Sequence, residues 1–222
     1  LGYTAEDAAN KQNSLAIDGT GVKYPTVDAI NGGLVKLTDN QTIAGVKTFS
    51  SDIFSNGLTI GRGAGNISSN NANGFQTLLS NTSGINNTGN GTQTLRNNTI
   101  GASNTANGNQ ALRFNISGSN NAANGTSSLY SNTTGSNNTA NGSLSLFNNV
   151  SGSLNIAIGS QAGLSIADKV TAATILNSSV MIGFNTSPLA DNQTNQVVVG
   201  HNGIGLGSNT SVLGNLSTLF SR

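Results

Sequence analysis

The sequence predicts an all-β chain: a parallel β-solenoid, or β-roll, built on 17-residue repeats and preceded by a small mixed N-terminal module. Three observations carry that prediction. Glycine recurs every 17 residues at Gly74, Gly91, Gly108, Gly125, Gly142 and Gly159, and a second series at Gly84, Gly101, Gly118, Gly135 and Gly152 keeps the same interval. Apolar and amide positions hold that register: Leu78, Leu95, Leu112, Leu129 and Leu146, then Asn70, Asn87, Asn104, Asn121, Asn138 and Asn155, then Asn81, Asn98, Asn115, Asn132 and Asn149. Small residues, among them Ala72, Ala106, Ala123 and Ala140, precede the first glycine series by two. Finally, the composition is wrong for helices: 29 Gly and 36 Asn in 222 residues, both poor helix formers. Disordered low-complexity sequence has no reason to keep so strict a register, whereas stacked coils do.

Each unit reads roughly N-x-A-N-G-x-x-x-L-x-x-N-x-x-G-x-x, and five units fill residues 70–154 without insertion. The expected coil has two or three short strands, with Gly and Asn in the turns because they tolerate positive φ. Coils stack about 4.8 Å apart, so five span roughly 24 Å. Identical Asn side chains, such as Asn87, Asn104, Asn121 and Asn138, then form amide ladders. One fixed Leu and one small residue per unit bury little, so a coil this thin implies an oligomer with a shared core.

The organisation follows from shifts in pattern. Residues 1–60 carry 6 of the 8 acidic and 4 of the 9 basic residues. Within them Pro25 can start a helix presenting Val27, Ile30 and Leu34 on one face. Ile43, Val46, Phe49, Ile53, Leu58 and Ile60 then alternate as short strands. Residues 61–154 are the repeat shaft. Residues 155–222 are more apolar coils and a C-terminal cap: NIAIG, VMIG and VVVG each read as a buried strand ending in a turn. Residues 163–179 break the period and form a loop or a short helix. The chain begins at Leu1 with no charged stretch leading into an apolar one, so it is expected to be processed or part of something longer.

Composition also narrows function. There is no Cys, which excludes disulfides, thiol catalysis and thiolate metal sites. Charged residues are only 8%, and a net charge of +1 offers no basic field for nucleic acid. No apolar run reaches the ~20 residues of a membrane span. Glycoside hydrolysis needs two carboxyls about 5–9.5 Å apart, yet no Asp or Glu lies between Asp52 and Asp168. Asp168 and Asp191 read as solvated loop carboxylates. His201, in GHNG, reads as an exposed turn histidine; only three copies around an axis would make it a metal site. GRGAG and GIGLG lack the flanking strand, helix and Lys of a phosphate loop. Asn-x-Ser/Thr triplets follow from composition alone. Ice binding is disfavoured by irregular Thr positions. No enzyme activity and no cofactor are expected.

One variable position stands out. Leu79, Arg96, Arg113, Tyr130 and Phe147 each follow the fixed Leu. If that Leu points inward from a strand, its neighbour points outward, and the five form an external stripe that packs against a neighbouring chain, stands simply exposed, or contacts a ligand.

Several phrases are familiar. LGYTAEDAANKQ, KYPTVDAI, QTIAGVKTF and SGSNNTANG resemble phage tail fibres and the fibres of phage-like contractile injection systems. The IAIG, VMIG and VVVG clusters look like the head repeats of trimeric autotransporter adhesins, although those repeats are nearer 14 residues. The resemblance covers nearly the whole chain. It implies a homotrimeric fibre on a virion tail or extracellular particle surface. Its partners would be itself, other tail or baseplate proteins, and a host cell-surface glycan or protein. The alternative it implies is a trimeric adhesin head on a bacterial cell surface.

Overall fold

The computed structural model describes residues 15–17, 23–25, 53–55, 58–166, 168 and 170–214. The chain divides into two compact units, Leu1–Thr48 and Phe49–Arg222. In the first, β1 (Leu15–Ile17) and β2 (Lys23–Pro25) pair antiparallel with Leu15 opposite Pro25. Pro25 thus ends a strand, and lacking an N–H it suits that place; the helix expected to follow it lies outside the described residues. Val27, Ile30, Leu34, Ile43, Val46 and Phe49 lie outside the described residues.

The second unit is one eleven-stranded sheet whose strands follow chain order. It begins with β3 (Ile53–Ser55), β4 (Leu58–Gly61) and β5 (Asn71–Phe75), which pair antiparallel. From β5 onward every pairing is parallel. The strands are β6 (Thr88–Asn90), β7 (Thr105–Asn107), β8 (Ala122–Asn124), β9 (Thr139–Asn141) and β10 (Ile156–Ile158). They continue as β11 (Val180–Ile182), β12 (Val197–Val199) and β13 (Ser211–Leu213). One parallel strand per turn of chain, each paired to the next at the same register, is a β-solenoid. β4 lies along the first coil and occupies an edge that would otherwise present unpaired backbone.

The coil differs from the expected one in a specific way. It holds a single three-residue strand, not two or three. The remainder is a stack of turns, bonded coil to coil by backbone contacts such as Leu95 N–H to Ala111 C=O at 3.0 Å and Asn97 N–H to Arg113 C=O at 3.0 Å. Left-handed residues prevent longer strands: Gln93, Leu95 and Ser103 in one coil, Ser127, Leu129 and Asn137 in another, all have φ near +50° to +60°. The fixed Leu therefore sits at a left-handed corner and not in a strand. That conformation costs roughly 1–2 kcal/mol, which burial of the Leu side chain, worth about 1.5–3 kcal/mol, offsets.

The core is a narrow column. Leu78, Leu95, Leu112, Leu129 and Leu146 stack on one side against Ala72, Ala106, Ala123, Ala140 and Ala157, all fully buried. Met181, Val198 and Val212 continue the alanine row. The opposite side of each coil is filled by two buried asparagines, for example Asn104 and Asn115.

The apolar clusters at residues 156–158, 180–182 and 197–199 differ from the fully buried strands expected. Only their central residues, Ala157, Met181 and Val198, are buried. Period-2 alternation turns the flanking side chains outward, leaving Ile156 42% and Ile158 41% exposed. The stretch that breaks the period is a 24-residue coil, seen in the Ser153 N–H to Asn177 Oδ1 bond. Its excess is taken up by a hairpin-like excursion pinned by an antiparallel bridge between Ser165 and Ala172.

Candidate functional site

Two side-chain systems distinguish this solenoid: internal amide ladders and an external stripe. The first ladder contains Asn87, Asn104, Asn121 and Asn138. Each is donor and acceptor at once. The backbone N–H of Asn104 donates to Asn87 Oδ1 at 3.0 Å, Asn104 Nδ2 donates to the same oxygen at 3.2 Å, and Nδ2 also donates to Gly118 C=O at 2.9 Å. Asn121 and Asn138 repeat this with Gly135 and Gly152. Both lone pairs and both amide hydrogens are used, so a fully buried polar side chain carries no orphaned group.

A second ladder runs beside it. Asn115 Nδ2 donates to Asn98 Oδ1 at 2.7 Å and to Gly118 C=O at 2.9 Å, and Asn132 does the same with Asn115 and Gly135. The two ladders thus converge on one glycine carbonyl per coil. This series was visible in the 17-residue register, but sequence reasoning gave it no role. The convergence explains the second glycine series: a Cβ on Gly118 would lie 2.3 Å from Gly135 O and 2.5 Å from Asn115 Oδ1. The first series answers a different need. Gly74, Gly91, Gly108, Gly125, Gly142 and Gly159 have φ between 130° and 145°. A Cβ on Gly108 would in addition press on Gly125 O at 2.6 Å. Past β10 the first ladder ends: Ser179 and Gln196 take the Asn position, and the buried Gln196 Nε2 has no partner.

The five residues that follow the fixed Leu stand at a left-handed corner and not in the strand expected of them. Leu79 is exposed and the other four are half-buried. Arg96 Nε donates to Gln76 Oε1 at 3.1 Å, the end of a glutamine row in which Gln93 bonds Gln76 and Gln110 bonds Gln93. Arg113 Nη1 donates to Tyr130 Oη at 3.0 Å, and its guanidinium stands 5.1 Å from the Phe114 ring centre and 5.7 Å from that of Tyr130. Tyr130 and Phe147 stack with centroids 4.7 Å apart and planes 4° from parallel, while Phe114 meets Tyr130 edge-on at 5.0 Å. The stacking distance equals one coil rise. One face of Tyr130 is therefore covered by Phe147, and Phe114 approaches it edge-on. Arg113, Tyr130 and Phe147 thus form one contacting row, and Arg96 is held apart from it by Gln76.

The two described carboxylates are both engaged in turns. Asp168 Oδ1 accepts from Val170 N–H at 2.8 Å and Thr171 N–H at 2.7 Å, and Oδ2 accepts from the Thr171 hydroxyl at 2.5 Å. These bonds, the Thr171 hydroxyl first, hold its carboxyl below the usual carboxylate range. Asp191 accepts from the backbone N–H of Thr174 and Ile175 and from the Thr174 hydroxyl. His201 is exposed and stacks on Phe184 with centroids 5.4 Å apart. Among the described residues, no group of three or more His, Asp or Glu could hold a metal ion. No helix among them is long and apolar enough to cross a membrane.

No family model, curated protein or solved structure matches the chain. The molecule is a structural β-solenoid whose conserved chemistry, coil to coil, is hydrogen bonding between its own amides.

Proposed function

We propose that the chain is the shaft segment of a homotrimeric fibre, carried by a phage tail or a phage-like particle, that contributes non-enzymatically to attachment at the target cell surface. The observation that carries the assembly is the change in the outer face of the sheet. In β6, β7 and β9 the two outward positions of each strand are Thr and Asn; in β10, β11 and β12 they are Ile or Val. Leu213 in β13 adds a side chain 75% exposed. A contiguous apolar strip on a flat sheet is a surface that association buries. It gives a thin coil the shared core its own Leu and Ala column lacks.

Attachment rests on the resemblance of LGYTAEDAANKQ, KYPTVDAI, QTIAGVKTF and SGSNNTANG to tail fibres. The stripe of Leu79, Arg96, Arg113, Tyr130 and Phe147 is the proposed contact row, toward a neighbouring protomer or a surface glycan or protein. Other tail or baseplate proteins would hold the fibre on its particle.

The test is the mass in solution by light scattering, followed by binding to intact cells. About three times the 22.3 kDa chain is expected. A folded single chain would overturn the trimer and, with it, the fibre reading. Retained cell binding by a trimeric Arg113→Ala/Tyr130→Ala variant would remove the stripe from any ligand role.

A further inference from the structure

Asn-Gly is the dipeptide in which an asparagine side chain is lost most readily, because glycine leaves the following backbone nitrogen unhindered. The chain has eight such steps. Two lie before β5 (Asn31–Gly32 and Asn56–Gly57) and one falls in β5 (Asn73–Gly74). The other five are Asn90–Gly91, Asn107–Gly108, Asn124–Gly125 and Asn141–Gly142 in successive coils, and Asn202–Gly203 after β12. Exposure does not favour any of these five: Asn90, Asn141 and Asn202 are all exposed, and Gly203 is buried where the four coil glycines are half-buried. Hydrogen bonding does. In the four coil steps the glycine N–H donates across the sheet: Gly91 to Asn73 C=O at 2.8 Å, Gly108 to Asn90 at 2.9 Å, and Gly125 and Gly142 to Asn107 and Asn124 at 2.8 Å. The amides are tied as well, Asn90 Nδ2 to Asn107 Oδ1 and Asn107 Nδ2 to Asn124 Oδ1, both at 2.8 Å. Nucleophile and electrophile are held apart by the same ladder.

Asn202–Gly203 stands outside that arrangement. Asn202 is left-handed, with φ 54°, in the turn after β12. The Gly203 N–H makes none of the cross-coil backbone bonds that hold its four counterparts. The Asn202 Nδ2 amide lies 3.1 Å from the His201 ring nitrogen Nδ1 and can donate to it, so no amide of another coil among the described residues ties this side chain's nitrogen.

We propose that, of these five steps, Asn202 is the one that deamidates spontaneously in the folded chain, and that the cross-coil bonding silences the four Asn-Gly steps of β6 to β9. In the reaction the Gly203 nitrogen gives up its proton and attacks Asn202 Cγ. The new N–Cγ bond replaces the Cγ–Nδ2 bond, and Nδ2 leaves as ammonia with a proton. Water then opens the cyclic imide at either carbonyl, giving aspartate or isoaspartate. Aspartate keeps an oxygen to accept the bond that Asn185 Nδ2 donates to Asn202 Oδ1 at 2.9 Å and adds a negative charge beside His201, whereas isoaspartate, with its extra backbone methylene, moves that acceptor.

The experiment is peptide mapping by mass spectrometry of the full chain aged at mildly alkaline pH, native and in urea. In the native protein, conversion at Asn202 is expected with the four ladder sites at least about tenfold slower, because each must wait for local opening. In urea the five compared steps should convert at similar rates. Ladder sites converting as fast as Asn202 in the native protein would overturn the proposal, as would an Asn202 that converts only in urea. Repeating the native assay on an Ile156→Thr/Ile158→Asn chain separates the ladder from burial between protomers. Continued silence at the four sites supports the ladder, and their conversion in that chain overturns it.

Discussion

At the residue scale the structure is governed by side chains that do two jobs. Asn104 lends its Oδ1 to the next coil's backbone and its Nδ2 to both the preceding Asn and the Gly118 carbonyl. Asn104→Ala strips four bonds from a fully buried site, two donated by Nδ2 and two accepted by Oδ1, and leaves the Asn121 N–H without its acceptor. A loss of about 1–3 kcal/mol is expected, measured by urea unfolding. Gly118→Ala should cost more, although its φ is unremarkable. The new Cβ would meet Gly135 O at 2.3 Å, and backbone from the next coil cannot move aside without breaking the ladder. The comparison discriminates between causes. If Gly118→Ala were the milder change, steric closeness between coils would not be what fixes that glycine. Both positions were legible in the sequence, because a 17-residue interval in Gly and Asn survives inspection without a structure. The convergence of two ladders on one carbonyl was not, since register says which residues stack but not what they bond.

At the scale of elements the coil was half legible. Period and turn residues pointed to a parallel solenoid, and the sheet runs β5 to β13 in order. Strand number per coil was misjudged because Leu95 and its equivalents look like strand residues and are left-handed corners; no pattern of polarity reports the sign of φ. The apolar clusters misled in the opposite sense, since a run such as VVV looks uniformly buried while the pleat sends two of three side chains outward. The excursion at residues 165–172 is the element with its own pH signature. Asp168 is bonded to Val170 and Thr171 at its tip, where Val170 is 87% exposed. Its carboxyl is depressed in the fold, so the turn's stabilisation is present above the ordinary carboxylate pKa of about 3.9 and is lost as pH falls through the lower folded value. The Val170 and Thr171 amide resonances should therefore shift together below about pH 4, and Asp168→Ala should remove that transition. Amides that titrate unchanged in Asp168→Ala would mean another group orders the turn.

At the scale of the molecule the question is what covers the outer face of β10 to β13. Within a single chain Ile156 and Ile158 stay exposed at 42% and 41%, next to Thr139 and Asn141 at the same register of the neighbouring strand. That neighbour supplies a control that few proteins offer. Ile156→Thr together with Ile158→Asn rewrites β10 as the Thr-Ala-Asn triplet of β9, a sequence already folded in this coil geometry around the same buried alanine. The variant should keep its solenoid, and its circular dichroism should match the parent. A seam can bury only the two-fifths of each Ile still exposed, so each Ile withdrawn forfeits about 1 kcal/mol, and a trimer would lose both from all three chains. Light scattering should accordingly show the mass falling from about three chains toward one at the same concentration. Unchanged mass with unchanged dichroism would place the seam on another face, and the stripe through Arg113, Tyr130 and Phe147 would be the next surface to substitute. A fall in mass without loss of fold would separate assembly from coil stability. The ladders would then hold each coil to the next, and the apolar strip would hold each chain to its copies.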